Sequence, residues 1–93
     1  MQTAELFYMP GCPYCAKAKR AVAELKAEDE RYDRVPVKWI NEEEETDYAE
    51  EHDYYYVPTV FVNGKKLFEA RPGDSFEAIK AGIKAGFDQA LKG

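Results

Sequence analysis

Positive charge is scarce in this chain. Thirteen Lys and Arg stand against eighteen Asp and Glu, giving a formal net charge of −5. A surface of that sign does not suit a phosphate backbone, which excludes nucleic acid as the main partner. It is repelled equally by an anionic membrane surface. Long apolar runs are missing too. A bilayer span needs about 20 apolar residues, and the longest run here, near Val57 to Val62, is broken by Pro58 and Thr59. The opening residues, Met1-Gln2-Thr3-Ala4-Glu5, lack a basic start and lead into too short an apolar stretch for a signal peptide, so the expected compartment is cytoplasmic. Histidine is limited to His52 and cysteine to Cys12 and Cys15. A zinc site built on two cysteines needs two further ligands, which one histidine does not supply, so no metal is expected. A passive disulfide between these two cysteines would close a loop too small to stabilise much. Two plain core cysteines remain the bland alternative. In a cytosol, where disulfides are mostly transient and catalytic, the pair is read first as chemistry.

What is present suffices for one domain spanning residues 1–93, with no internal repeat and no linker. Hydrophobic residues make up 45% of the chain, enough for a core without a metal or a disulfide cage. Residues 4–9 read as a short buried strand ended by Pro10 and Gly11. From Pro13 to about Glu28, Cys15, Ala18, Val22 and Leu25 recur at spacings of three and four, which predicts a helix. Val35 to Ile40 reads as a second strand, placed at an edge because Pro36 cannot donate to a ladder. An acidic segment from Glu42 to Asp53 follows, with a short helix expected over Thr46 to His52 and a solvated face that would repel acidic partners and steer basic ones. Asn63-Gly64 between the apolar runs 59–62 and 66–69 is a strong hairpin signal. The last helix is expected to start near Asp74, with Glu77 completing a capping-box variant, and to bury Phe76, Ile79, Ile83 and Phe87. The order predicts an α/β fold: a βαβ unit, then a hairpin and a C-terminal helix, forming a four-stranded mixed sheet with flanking helices.

Cys12-Pro13-Tyr14-Cys15 follows a strand and opens a helix. The unpaired N–H groups and dipole of a helix N-terminus favour a thiolate at Cys12. Pro13 sits in the first turn, where its missing N–H costs nothing. Cys12 is therefore expected to be the exposed nucleophile, attacking a substrate disulfide to form a mixed disulfide. Cys15, one turn deeper, is expected to resolve it. No base for the Cys15 proton is evident in the sequence.

Cys12-Pro13-Tyr14-Cys15-Ala16-Lys17-Ala18-Lys19 resembles the active-site helix of dithiol glutaredoxins. Val57-Pro58-Thr59-Val60-Phe61-Val62-Asn63-Gly64 resembles the strand and hairpin of the thioredoxin superfamily, in which a cis-proline faces the C-x-x-C pair. The resemblance implies a thioredoxin fold and disulfide oxidoreductase activity. It implies a cis Val57–Pro58 bond, with the Val57 backbone pairing with bound substrate by β-addition. Substrates would be protein disulfides or glutathione mixed disulfides. The electron donor would be glutathione as a co-substrate or a flavoprotein thioredoxin reductase, with no bound cofactor and a monomeric protein. An iron–sulfur cluster held by Cys12 across a dimer is the alternative outside enzymes.

Three features that accompany glutathione binding in the family differ here. No basic residue lies in 6–11, Tyr56-Val57-Pro58 replaces Thr-Val-Pro, and the Gly-Gly turn is represented by Arg71-Pro72-Gly73-Asp74-Ser75. The buried acid of thioredoxins proper is replaced by Leu6. Arg71 is the candidate to replace the missing cation, and the Asp74 and Ser75 amides are candidates for holding an anion. Tyr56 either walls the substrate groove or packs. Tyr54 and Tyr55 are expected to pack on helix ends, Tyr14 to lie on the surface beside the sulfur, Trp39 to be half-buried filler and His52 to be a solvated helix-end residue. Gly82 and Gly86 either allow close helix–sheet packing or mark a frayed helix.

Overall fold

The computed structural model describes residues 1–93. The first strand, β1 (Ala4–Tyr8), occupies the middle of the sheet. It pairs in parallel with β2 (Val37–Asn41) and antiparallel with β3 (Thr59–Val62), which in turn pairs with β4 (Lys65–Glu69). The order β2-β1-β3-β4 makes a mixed four-stranded sheet, as expected for a thioredoxin fold.

Side-chain alternation divides the core into two layers. Leu6, Val60 and Val62 face one side, where α1 (Pro13–Glu28) contributes Ala18, Ala21, Val22 and Leu25, and α4 (Phe76–Lys92) contributes Ile79, Ile83, Phe87 and Ala90. Phe7, Ile40 and Phe61 face the other, against Ala49 of the short helix α3 (Thr46–Glu50). Central strands buried on both faces read as continuous apolar runs, and all four residues of β3 are buried. The Asn63-Gly64 turn has positive φ at both residues, 51° and 78°, the conformation that lets a two-residue hairpin follow the strand twist.

Several boundaries differ from the sequence expectation. Strand β2 begins at Val37, after Pro36, whose carbonyl accepts the Ala4 N–H at 2.9 Å; β2 is nevertheless an edge strand. Helix α3 stops at Glu50. A short helix, α2 (Glu30–Asp33), was not anticipated; the Asp29 carboxylate caps the Arg31 amide at 2.8 Å and Tyr32 turns into the core against Phe87. The cap of α4 is Ser75, whose Oγ accepts the Ala78 N–H at 3.1 Å, so the helix starts one residue later than an Asp74 cap requires. Asp74 instead folds back to accept the Arg71 N–H at 2.8 Å. No helix is long and apolar enough to cross a membrane.

Candidate active site

The loop leaving β1 turns at Gly11, where φ is +76°, and delivers Cys12 to the N-cap position of α1. The Cys12 sulfur accepts the Cys15 N–H at 3.3 Å, as an N-cap side chain does. This geometry corrects the expectation of an openly exposed nucleophile. Drawn onto its own helix and lying beneath the Val57 carbonyl 3.9 Å away, Cys12 is only 9% exposed. It is still the less buried cysteine, since Cys15 is 3% exposed. Both thiols are free.

Burial pushes the Cys15 thiol up to about 12, and its contact with Cys12 adds to the rise. An amide contact from Met9 works the other way, while electrostatic interaction with Cys12 and Glu42 reinforces the shift. Cys15 thus stays a protonated thiol at neutral pH. Because the folded value lies above the ordinary 9.0, this group's contribution to stability is complete below about pH 9 and lost as pH rises toward about 12. Reduced wild type should therefore lose more stability than Cys15→Ala in urea titrations between about pH 8 and about pH 11. Parallel losses in the two proteins would contradict this.

The Val57–Pro58 bond is cis and places Val57 beside Cys12, 45 residues away in sequence. The Val57 N–H has no hydrogen-bond partner, and its carbonyl meets only the Cys12 sulfur. Tyr56 is half exposed, with its carbonyl accepting the Thr59 hydroxyl. On the opposite side, Tyr14 is half-buried rather than superficial. Its Oη accepts the Gly73 N–H at 2.8 Å, so the second half of the C-x-x-C reaches the 71–75 turn. Within that turn the Arg71 N–H is held by the Asp74 carboxylate and the Asp74 N–H by the Arg71 carbonyl at 3.0 Å. The Arg71 side chain is exposed and forms no ion pair.

His52 is half-buried rather than simply solvated. Its ring packs 4.7 Å from Phe7 and 4.8 Å from Phe61, and Nδ1 lies 2.8 Å from the Tyr48 carbonyl. Tyr54 joins the same aromatic cluster, but Tyr55 is 86% exposed and packs on no helix end. Trp39 is half-buried, edge-on to Tyr8. No three His, Cys, Asp or Glu side chains are grouped as metal ligands. A cavity of about 590 Å³ is lined by Glu42, Glu43, Glu50, His52, Tyr54 and Tyr55, and neither sulfur borders it.

Sequence reasoning missed two carboxylates. Glu42, read as one of a solvated run, continues β2 next to Tyr8, accepts the Tyr54 hydroxyl at 2.7 Å and bears electrostatically on Cys15. Glu69, at the end of β4, binds the loop that carries Val57. No local pattern distinguishes either from an ordinary surface acid.

A family model described as Glutaredoxin matches residues 4–67, which include both the C-x-x-C and the Val57–Pro58 segment. A protein of Methanocaldococcus jannaschii described as a thioredoxin is 40% identical over 80 residues, covering 86% of this chain and 89% of that one. A probable thioredoxin of Methanothermobacter marburgensis is 34% identical over 82 residues, covering 86% and 94%. Another, of Methanothermobacter thermautotrophicus, is 35% identical over 77 residues, covering 81% and 88%. No solved structure matches the chain at comparable significance.

Proposed function

The chain belongs to the glutaredoxin family within the thioredoxin superfamily and is a disulfide oxidoreductase with a dithiol, and on that premise we propose that it reduces protein disulfides through Cys12 and Cys15 and is recharged by a flavoprotein reductase rather than by glutathione. In the first step the Cys12 thiolate attacks one substrate sulfur. The substrate S–S bond breaks, its second sulfur leaves as a thiolate that takes up a proton, and a mixed disulfide remains on Cys12. Cys15 then gives up its proton and attacks Cys12 Sγ. The second substrate thiol is released and the Cys12–Cys15 disulfide forms, so two electrons and two protons have passed to the substrate. The reductase returns them.

The observation that carries the choice of donor is the state of the 71–75 turn. Three backbone donors there, those of Arg71, Gly73 and Asp74, already bind Asp74 Oδ2, Tyr14 Oη and the Arg71 carbonyl. Pro72 has no N–H, so only that of Ser75 is left for a tripeptide carboxylate. The relatives described above carry the name thioredoxin or probable thioredoxin.

The test is NADPH-coupled reduction of a protein disulfide, comparing a flavoprotein thioredoxin reductase as donor with glutathione plus its own reductase. Turnover with the flavoprotein should be faster by about tenfold or more, the margin that one lost charge-assisted contact to glutathione implies. Equal or faster turnover with glutathione overturns the donor assignment. The unpaired, exposed Arg71 guanidinium is the observation that favours that second reading. Under it, Arg71→Ala raises the KM for glutathione about tenfold.

A further inference from the structure

Tyr55 and Tyr56 donate their consecutive backbone N–H groups to a single oxygen, Glu69 Oε2, at 2.6 and 2.8 Å. The other oxygen of Glu69 accepts from Lys66 Nζ at 2.8 Å. Glu69 lies opposite Thr59 in the sheet register, so its side chain reaches past the start of β3 to the loop before it. That side chain is 16% exposed. Burial opposes its charge, but the bonds from Lys66 and the two amides prevail and hold the carboxyl down at about 2. It is therefore anionic at any working pH, and its bonds to the amides are charge-assisted.

Val57 packs on the Phe7, Ile40 and Phe61 layer and Pro58 is buried, but side-chain packing does not fix the two residues before them. The rings of Tyr55 and Tyr56 are 86% and 50% exposed. Their backbone is held instead by hydrogen bonds: the Glu69 carboxylate takes the two amides and the Thr59 hydroxyl donates to the Tyr56 carbonyl, while beyond Val57 the Ala70 N–H donates to the Pro58 carbonyl at 3.0 Å. Between these anchors sits Val57, with its N–H unpartnered and its carbonyl turned to Cys12. The clamp ties down the neighbours and leaves the one residue beside the nucleophile with a donor and an acceptor to offer.

We infer that Glu69 is a positioning residue for disulfide reduction: by clamping the Tyr55 and Tyr56 amides it holds the Val57 backbone in register to pair with the substrate chain beside Cys12. The inference rests on the proposed reading that protein disulfides are the substrates. The carboxylate touches neither substrate nor sulfur. It acts by sparing the substrate the entropy of ordering the loop, so its effect belongs in binding rather than in sulfur chemistry.

Glu69→Ala and Glu69→Gln test it in the full chain. In Glu69→Ala, amide hydrogen exchange at Tyr55 and Tyr56 should accelerate while the Ala70 amide stays protected. The KM for a protein disulfide should rise about tenfold, with kcat and the iodoacetamide reactivity of Cys12 within about twofold of wild type. Glu69→Gln keeps an acceptor oxygen at the same reach and should recover part of the loss in KM. It also supplies the measurement if the alanine variant does not fold. Tyr55 and Tyr56 amides that stay protected in Glu69→Ala would refute the clamp. Freed amides with an unchanged KM would refute the role of the clamp in substrate pairing. Failure of the underlying reading shows separately, as wild-type protein that does not reduce protein disulfides at all.

Discussion

Cys12→Ser is expected to abolish disulfide exchange, lowering the rate by about a thousandfold or more, the scale on which loss of an essential nucleophile is felt. The loss would be chemical, not structural. Serine is among the best N-cap residues, so its hydroxyl takes over the bond that the Cys12 sulfur now makes with the Cys15 N–H. What it lacks is a sulfur that can exchange with a substrate disulfide. Cys15→Ser should behave differently. Cys12, the less buried of the two, can still attack, but nothing resolves the adduct, so mixed disulfides with protein substrates should accumulate and appear on a non-reducing gel. The asymmetry follows from burial: Cys15 is 3% exposed and its thiol is pushed up to about 12. It is poorly placed to begin the reaction and well placed to finish it. Full dithiol turnover by Cys15→Ser, or first alkylation at Cys15 in the wild type, would overturn the roles.

The second large effect concerns stability. A Cβ on Gly82 would lie 2.2 Å from Cγ and Cδ1 of Phe68, and one on Gly86 would lie 2.6 Å from Cγ1 of Val60. These glycines let α4 settle directly onto β3 and β4; they do not mark a frayed helix end. Replacing either by alanine gains roughly 1 kcal/mol of helix propensity. Against that, Val60 is stiff at χ1 and fully buried, and the Phe68 ring is struck at its root, where tipping the far edge gives no relief. Overpacking costs about 1–3 kcal/mol per site, and contacts of 2.2 and 2.6 Å to these atoms put both sites in the upper half of that range, at about 2–3 kcal/mol each. The Gly82→Ala/Gly86→Ala double variant is expected to lose about 2–4 kcal/mol net, and its Tm should fall by roughly 10 °C or more. Urea and thermal unfolding of the reduced proteins measure it. A double variant as stable as wild type would mean that helix and sheet separate at little cost.

Local chemistry made much of the fold legible. The strand–turn–helix context of Cys12-Pro13-Tyr14-Cys15 appeared as expected, because Pro13 at the first helical position and the three-and-four spacing of Cys15, Ala18, Val22 and Leu25 are properties of a single segment. The Asn63-Gly64 hairpin and the buried stripe of α4 were legible for the same reason. Misreadings gathered where the deciding partner was elsewhere. His52, beyond the end of α3, looked fully solvated, but one side of its ring packs on Phe7 and Phe61 from two strands. Asp74 and Ser75 are both acceptable caps, and the choice fell to Ser75 because Asp74 turned back to the Arg71 amide.

The sequence alone therefore determined the chemical capacity of this protein: two thiols at the spacing and helix position that disulfide exchange requires. Those properties depend on backbone periodicity and turn preference within a dozen residues. Tertiary structure decided what surrounds the sulfurs. Val57 meets Cys12 from 45 residues away, Gly73 meets Tyr14 from 59, and Glu69 gathers the amides of Tyr55 and Tyr56 from 14 and 13. Contacts of that kind leave no local pattern, since an acid or tyrosine used in this way looks like any other until the sheet register brings its partner within hydrogen-bonding distance.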